Sequence, residues 1–275
     1  MKSLAILPIM AGILSAETPP GIRAMVKQSL HGINREDNRK GDFLYRVFSE
    51  KREFDAAGKE TSKESKVVVR EMRDGFAIGR VVERNGKPID EAEKARQEAS
   101  LQRSIAEAKA AKAKPPAPKP ARRKQSNEEA WIQEFPEALD YKQAGEEAIR
   151  GRPATILEFE PRPGYKPSNM RARIFEKMRG KLWIDKEESE LVKVEAEMFD
   201  TVSMGFGLFA KIAKGTQFGL ERRKVAEGAW LEETTRFRFD ARFLVKTLRM
   251  EQIERYSDYQ LRPDRQKPVT ARGAR

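Results

Sequence analysis

From Thr235 to Phe243 the chain alternates without a slip: Thr235, Phe237, Phe239, Ala241 and Phe243 fall on one parity, and Arg236, Arg238, Asp240 and Arg242 on the other. A side-chain period of two predicts an extended strand with one face toward water. Leu191 to Met198 repeats the pattern, with Val192, Val194, Ala196 and Met198 opposite Lys193, Glu195 and Glu197. The C-terminal half therefore reads as one large antiparallel sheet, wet on one face. Its apolar rows, Val192/Val194/Met198 and Phe237/Phe239/Phe243, together with Trp183, are the candidate lining of a hollow. Alternation alone does not separate an open hollow from a filled core.

Elsewhere the periods change in a regular order. Ile22, Met25, Val26, Leu30 and Ile33 form one stripe on a helix over residues 21–34, with Pro20 suited to its first turn. Residues 42–54, 66–70 and 76–82 read as three strands of a meander, the last two joined through the hairpin signal Asp74-Gly75. Residues 90–113 are almost all helix formers, with Leu101 and Ile105 the few large apolar side chains, so that helix is expected to be solvated or weakly docked. Pro115 to Pro120 form a stiff spacer, and Ser126 to Glu129 have the spacing of a capping box before Trp131 and Phe135. Residues 88–136 are thus a charged helical excursion from the sheet, a lid or a free arm. Strands return at 138–143 and 154–160. Ser168 is placed to cap a helix over 169–179 that Gly180 closes. Strands then run from Leu182 to about Tyr259, broken at Gly205/Gly207, Gly215 and Gly228, and the tail from 261 to 275 reads as disordered.

The first residues change the compartment. Lys2 precedes an eleven-residue apolar run, Leu4 to Leu14, and Ser15-Ala16 precedes a polar stretch. This is the pattern of a secretory signal cut after Ala16, and it is too short and too interrupted for a membrane span. The expected organisation is a signal at 1–16, a single domain at 17–260 carrying the excursion at 88–136, and the basic tail.

The formal charge of +12 raises the question of nucleic acid. Lys109 to Lys124 holds seven basic and no acidic residues, and Arg262 to Arg275 holds five basic and one acidic. With Lys2 these account for the whole excess, so the folded body is neutral. Charge confined to a linker and a tail suits an anionic membrane surface better than a DNA-binding face, and no nucleic-acid partner is expected.

The chain has no cysteine and one histidine, His31. Nucleophilic triads and His/Cys zinc sites are excluded, and neither a cofactor nor a metal is expected. Gly205-Phe206-Gly207-Leu208-Phe209-Ala210 matches a dinucleotide fingerprint only in its spacing, because the neighbouring elements are antiparallel strands. The reading is of a protein without enzymatic activity.

Several short motifs fall in a telling order: Gly145-Glu146-Glu147, Gly151-Arg152-Pro153, Leu157 to Tyr165, Gly180-Lys181-Leu182-Trp183-Ile184-Asp185, Val194-Glu195-Ala196, Lys214-Gly215-Thr216 and Gly228-Ala229-Trp230-Leu231. In that order they resemble the outer-membrane lipoprotein-sorting (LolA-like) proteins, as a divergent exported member. The resemblance implies an α+β, mostly β fold: a large curved antiparallel sheet, a half-open β-barrel covered by helices, in the periplasm. It implies a monomeric binder or carrier of lipid or lipoprotein acyl chains on the concave face. The alternative is an envelope interaction or sensing module that binds a protein partner or, through its basic linker and tail, a membrane surface.

Overall fold

The computed structural model describes residues 18–113, 133–204, 210–243 and 246–266. The signal, the proline spacer, the capping box with Trp131, the Gly205/Gly207 break and residues 267–275 lie outside the described residues. So do the side chains of His31 and Phe243.

Among the described residues, thirteen strands join one antiparallel sheet. In chain order they are β1 (Phe43–Phe54), β2 (Glu60–Arg73), β3 (Phe76–Arg84), β4 (Lys87–Pro88), β5 (Leu139–Ile149), β6 (Arg152–Pro161), β7 (Met178–Asp185), β8 (Leu191–Met198), β9 (Val202–Met204), β10 (Ala210–Ile212), β11 (Gln217–Ala226), β12 (Ala229–Phe243) and β13 (Lys246–Leu261). The spatial order is β4-β3-β2-β1-β13-β12-β11-β8-β7-β6-β5, with the short β9 and β10 attached to β12. The sheet curves but stays open, because its ends, β4 and β5, are not bonded to each other. Three of its turns use two residues of positive φ: Asp74-Gly75 (49°, 78°), Asn85-Gly86 (49°, 73°) and Arg150-Gly151 (51°, 77°). This is the turn whose twist matches that of paired strands.

Among the described residues, three α-helices accompany the sheet: α1 (Pro20–Lys40), α2 (Glu91–Ala113) and the single turn α3 (Phe135–Ala138). α1 crosses the concave face. Its start is tied to β5, where Arg23 donates to Leu139 O (3.1 Å) and to Asp140 Oδ1 (3.0 Å). Just ahead of it, Thr18 donates to Asp140 Oδ1 (3.0 Å) and accepts the Tyr141 amide (2.7 Å). Its end reaches the opposite half of the sheet, where Lys40 lies 4.3 Å from the Tyr256 ring and 3.0 Å from Glu232. Val26 of α1 is fully buried against Leu139, Leu157, Leu182, Ile184, Leu191 and Val194, which form the main core with Ala172 and Phe175.

The structure corrects three expectations. Residues 169–179 do not form an α-helix: Asn169 Oδ1 caps the amides of Arg171 and Ala172 (2.9 and 3.0 Å), a 3-10 turn spans Ala172–Lys177, and Met178 already pairs with Met198. Tertiary pairing overrides local propensity there. Gly180 is therefore no helix terminator but a strand residue, treated below. Residues 262–266, read as tail, are held in place: Arg262 donates to Gly41 O (2.9 Å) and Arg265 pairs with Asp42 (3.1 Å). Helix α2, for which the sequence leaves both solvated and weakly docked positions open, lies along β3 with Ile105 buried.

Candidate functional site: an aromatic row on the concave face

Directly paired residues of antiparallel strands project to the same side of a sheet. Followed from strand to strand, the register builds one row across seven strands: Tyr141, Phe159, Gly180, Ala196, Phe218, Phe237 and Gln252. The row starts in the core, where Tyr141 and Phe159 are 3% exposed beneath the start of α1. It ends in the open, with Phe218 41% and Phe237 36% exposed. The apolar row thus outruns its helical cover.

The small residues at its centre give the row its shape. A Cβ built on Gly180 would lie 2.0 Å from the Glu195 carbonyl oxygen and 2.7 Å from Cζ of Phe159. Only glycine leaves room for the Phe159 ring and the close strand behind it. Ala196, next in the row, keeps the floor low.

Above this floor is a groove of about 1460 Å³. Pro19 and Ile22 wall it at the α1 end, and Phe218, Phe237 and Gln252 line the other. Charged residues at the alternate positions of these strands, which point to the opposite face, also border it, and they are largely matched to each other: Arg179 with Glu197 (2.6 Å), Lys181 with Glu158 (2.9 Å), Arg52 with Glu50 (2.9 Å) and Arg238 with Glu251 (3.5 Å). The Glu50 carboxyl illustrates the balance: burial would raise its pKa, yet Lys63 and Arg52 together hold it below the ordinary value. Matched charges on the strands leave the aromatic row as the distinctive recognition surface.

The seven residues expected to line a hollow have different fates. Phe237 lines the groove, and Phe239 stacks on it with centroids 5.3 Å apart and planes 20° apart. Val194 and Met198 face the same side but are buried, 7% and 2% exposed, as packing. Val192 falls at an irregularity in the β7–β8 ladder, where Leu182 pairs with Val194 and Ile184 with Leu191. One extra residue there puts Leu191 in the main core cluster beside Val194, while Val192, 4% exposed, is buried outside that cluster. Trp183 alternates with Leu182 and Ile184 and so lies on the opposite face, its Nε1 donating to Glu147 (2.7 Å) and its ring beneath the Lys193 ammonium (4.3 Å). Phe243 belongs to β12, but its side chain lies outside the described residues.

Tyr141, Phe159, Ala196 and Phe218 are the site residues that sequence reasoning missed. Phe218 carried a visible signal, an aromatic side chain alternating with Gln217 and Gly219. Its position opposite Phe237 is a matter of cross-strand register.

No protein-family model matches the sequence, and no curated protein matches it. Solved structures with similarity include a domain described as an outer membrane lipoprotein-sorting protein from Vibrio parahaemolyticus, at 13% identity over 88% of this chain and 95% of that one, with a TM-score of 0.31. A DUF1329 family protein from Desulfovibrio piger is 13% identical over 85% and 93%, with a TM-score of 0.25. A LolA superfamily protein from Nitrosomonas europaea is 11% identical over 86% and 96%, with a TM-score of 0.27. In its open antiparallel sheet and the order of its short motifs the chain is similar to the outer-membrane lipoprotein-sorting, LolA-like proteins.

Proposed function

We propose that the protein is a non-catalytic binder or carrier of extended apolar chains, the acyl chains of a lipid or an acylated lipoprotein, in the groove of its concave face. The observation that carries this reading is the pair Phe218 and Phe237, two large apolar side chains left open to solvent side by side on the floor of a groove. Exposed apolar side chains gathered in a concavity mark a surface that something apolar covers. At about 1460 Å³ the groove exceeds the roughly 300–1,000 Å³ of ordinary small-ligand pockets. An open, elongated space suits a flexible chain better than a compact metabolite. The apolar leader of the sequence and the resemblance to lipoprotein-sorting proteins support a periplasmic setting for this role.

Titration of the mature chain with a fluorescent fatty acid tests the reading, alongside mass spectrometry of lipid extracted from the purified protein. The expected result is saturable binding that Phe237→Asp weakens at least tenfold, because a carboxylate on the floor would have to be desolvated by the bound chain. Absence of saturation, together with lipid-free preparations, would falsify it.

A further inference from the structure

Helix α2 has almost no apolar stripe, with Ile105 as its buried contact, yet it makes one specific arrangement with the sheet. The carboxamide of Gln97 accepts the Val81 amide through Oε1 (3.0 Å) and donates to the Val81 carbonyl through Nε2 (3.3 Å). Val81 lies on β3, whose outer neighbour β4 pairs only with Glu83 and Arg84. Both backbone polar groups of Val81 therefore point out of the sheet edge. Gln97 supplies the acceptor and the donor that another strand would supply. By the two-residue repeat of a ladder, the same edge is presented at Gly79 and Ala77.

The rest of the attachment is electrostatic. Glu93 pairs with Arg84 (2.7 Å), Glu98 with Arg73 (2.6 Å) and Lys109 with Asp74 (3.0 Å), so the helix runs antiparallel to β3 from end to end. These pairs are solvent-accessible and weaken with salt. An unguarded strand edge is a template for pairing with another chain.

We propose that α2 is a detachable guard of the β3 edge, and that the surface it guards pairs antiparallel with the same edge of a second copy of this chain. Self-pairing fits the side chains present. A two-fold axis at Gly79 sets Ala77 opposite Val81 of the second copy and Ile78 opposite Arg80 of the second copy, so no like charges face each other. Arg80 is already matched within its own sheet by Glu71 (3.2 Å). The excursion thus controls association of the sheet, and the concave groove stays separate from that event.

The test uses the full chain with Gln97→Ala, Glu93→Lys, Glu98→Lys and Lys109→Glu combined, followed by sedimentation velocity over a concentration series. The expected result is a concentration-dependent species of about twice the monomer mass where the unaltered protein is monomeric. Adding Val81→Pro, which removes an outward amide and leaves the β2 side intact, abolishes that species, and adding Val81→Ala does not. A folded variant that stays monomeric, or a dimer that survives Val81→Pro, overturns the proposal. Should the combined variant fail to fold, amide exchange in Gln97→Ala alone decides: the Val81 amide loses protection while the Arg80 amide keeps it. Unchanged protection at Val81 overturns the assignment of Gln97 as its cover.

Discussion

Phe218 of β11 and Phe237 of β12 stand directly opposite each other in the ladder, and both rings are exposed on the face where Phe159 and Tyr141, three to five strands further along the same row, are buried. One register thus serves two purposes. Beneath the start of α1 it builds core, and beyond it a surface still to be covered.

Truncating the two halves of the row should have opposite consequences. Phe159→Ala empties a packed position and should cost about 3–5 kcal/mol of stability. Phe218→Ala or Phe237→Ala should change stability by about 1 kcal/mol or less, because much of each ring is already hydrated. Each should nonetheless weaken fatty-acid binding several-fold. Urea unfolding and ligand titration on the same samples check both. An equal loss of stability at Phe159 and Phe237 would remove the distinction between core and floor.

Gly180→Ala should destabilise the sheet by about 3 kcal/mol, or leave the protein insoluble, although alanine is the smallest possible change. The added methyl meets the Glu195 carbonyl oxygen and the Ala196 Cα (2.8 Å), neither of which can swing aside, as well as the Phe159 ring. Thermal unfolding of Gly180→Ala reads this out, and a melting temperature equal to the parent's would contradict it. The partner substitution Phe159→Leu should recover little, since the clash with the backbone remains.

At the far end of the sheet, Asp185 is fully buried and receives Arg152 through two bonds (2.8 and 2.9 Å) and the amides of Glu187 and Glu188 (3.1 and 2.7 Å). Burial pushes its carboxyl upward, but Arg152 and the two amides outweigh that and hold it below the ordinary value. A depressed folded pKa contributes stability that is complete above the unfolded value, near 3.9, and is lost as pH falls through the folded one. Asp185→Asn should therefore cost about 3 kcal/mol at pH 7 and make the remaining stability less sensitive to pH below about 4. Chemical denaturation from pH 7 to pH 2.5 measures it; parallel curves for variant and parent would refute the assignment.

Thr18→Val should loosen the rim of the groove. It leaves the buried Tyr141 amide without its acceptor and Asp140 with Arg23 in place of two donors, a cost of about 1–3 kcal/mol. Amide exchange at Tyr141 should accelerate in the variant. Unchanged exchange there would mean that the chain ahead of α1 does not hold β5.

The architecture was legible where a single segment carries its own period. α1 appears from its stripe, β12 from its alternation and the β2–β3 turn from Asp74-Gly75. What escaped depends on neighbours. The extra residue at Val192 shifts the parity of a strand whose own pattern looks regular, and Gly180 ends nothing because Met178 is claimed by Met198 across the sheet. Of the site, Phe237 and Phe239 could be read from β12 alone. Phe218, Ala196 and Phe159 join them only through register, and Trp183 lies on the opposite face, a matter of parity that an aromatic signal alone does not carry.

The most direct measurement is paramagnetic broadening of the protein's NMR signals by a spin-labelled fatty acid. Binding in the groove predicts selective loss of the Phe218, Phe237 and Ala196 resonances, while the Trp183 indole, on the opposite face, stays sharp. Broadening centred on Trp183, or uniform weak broadening with no preferred site, would contradict the account.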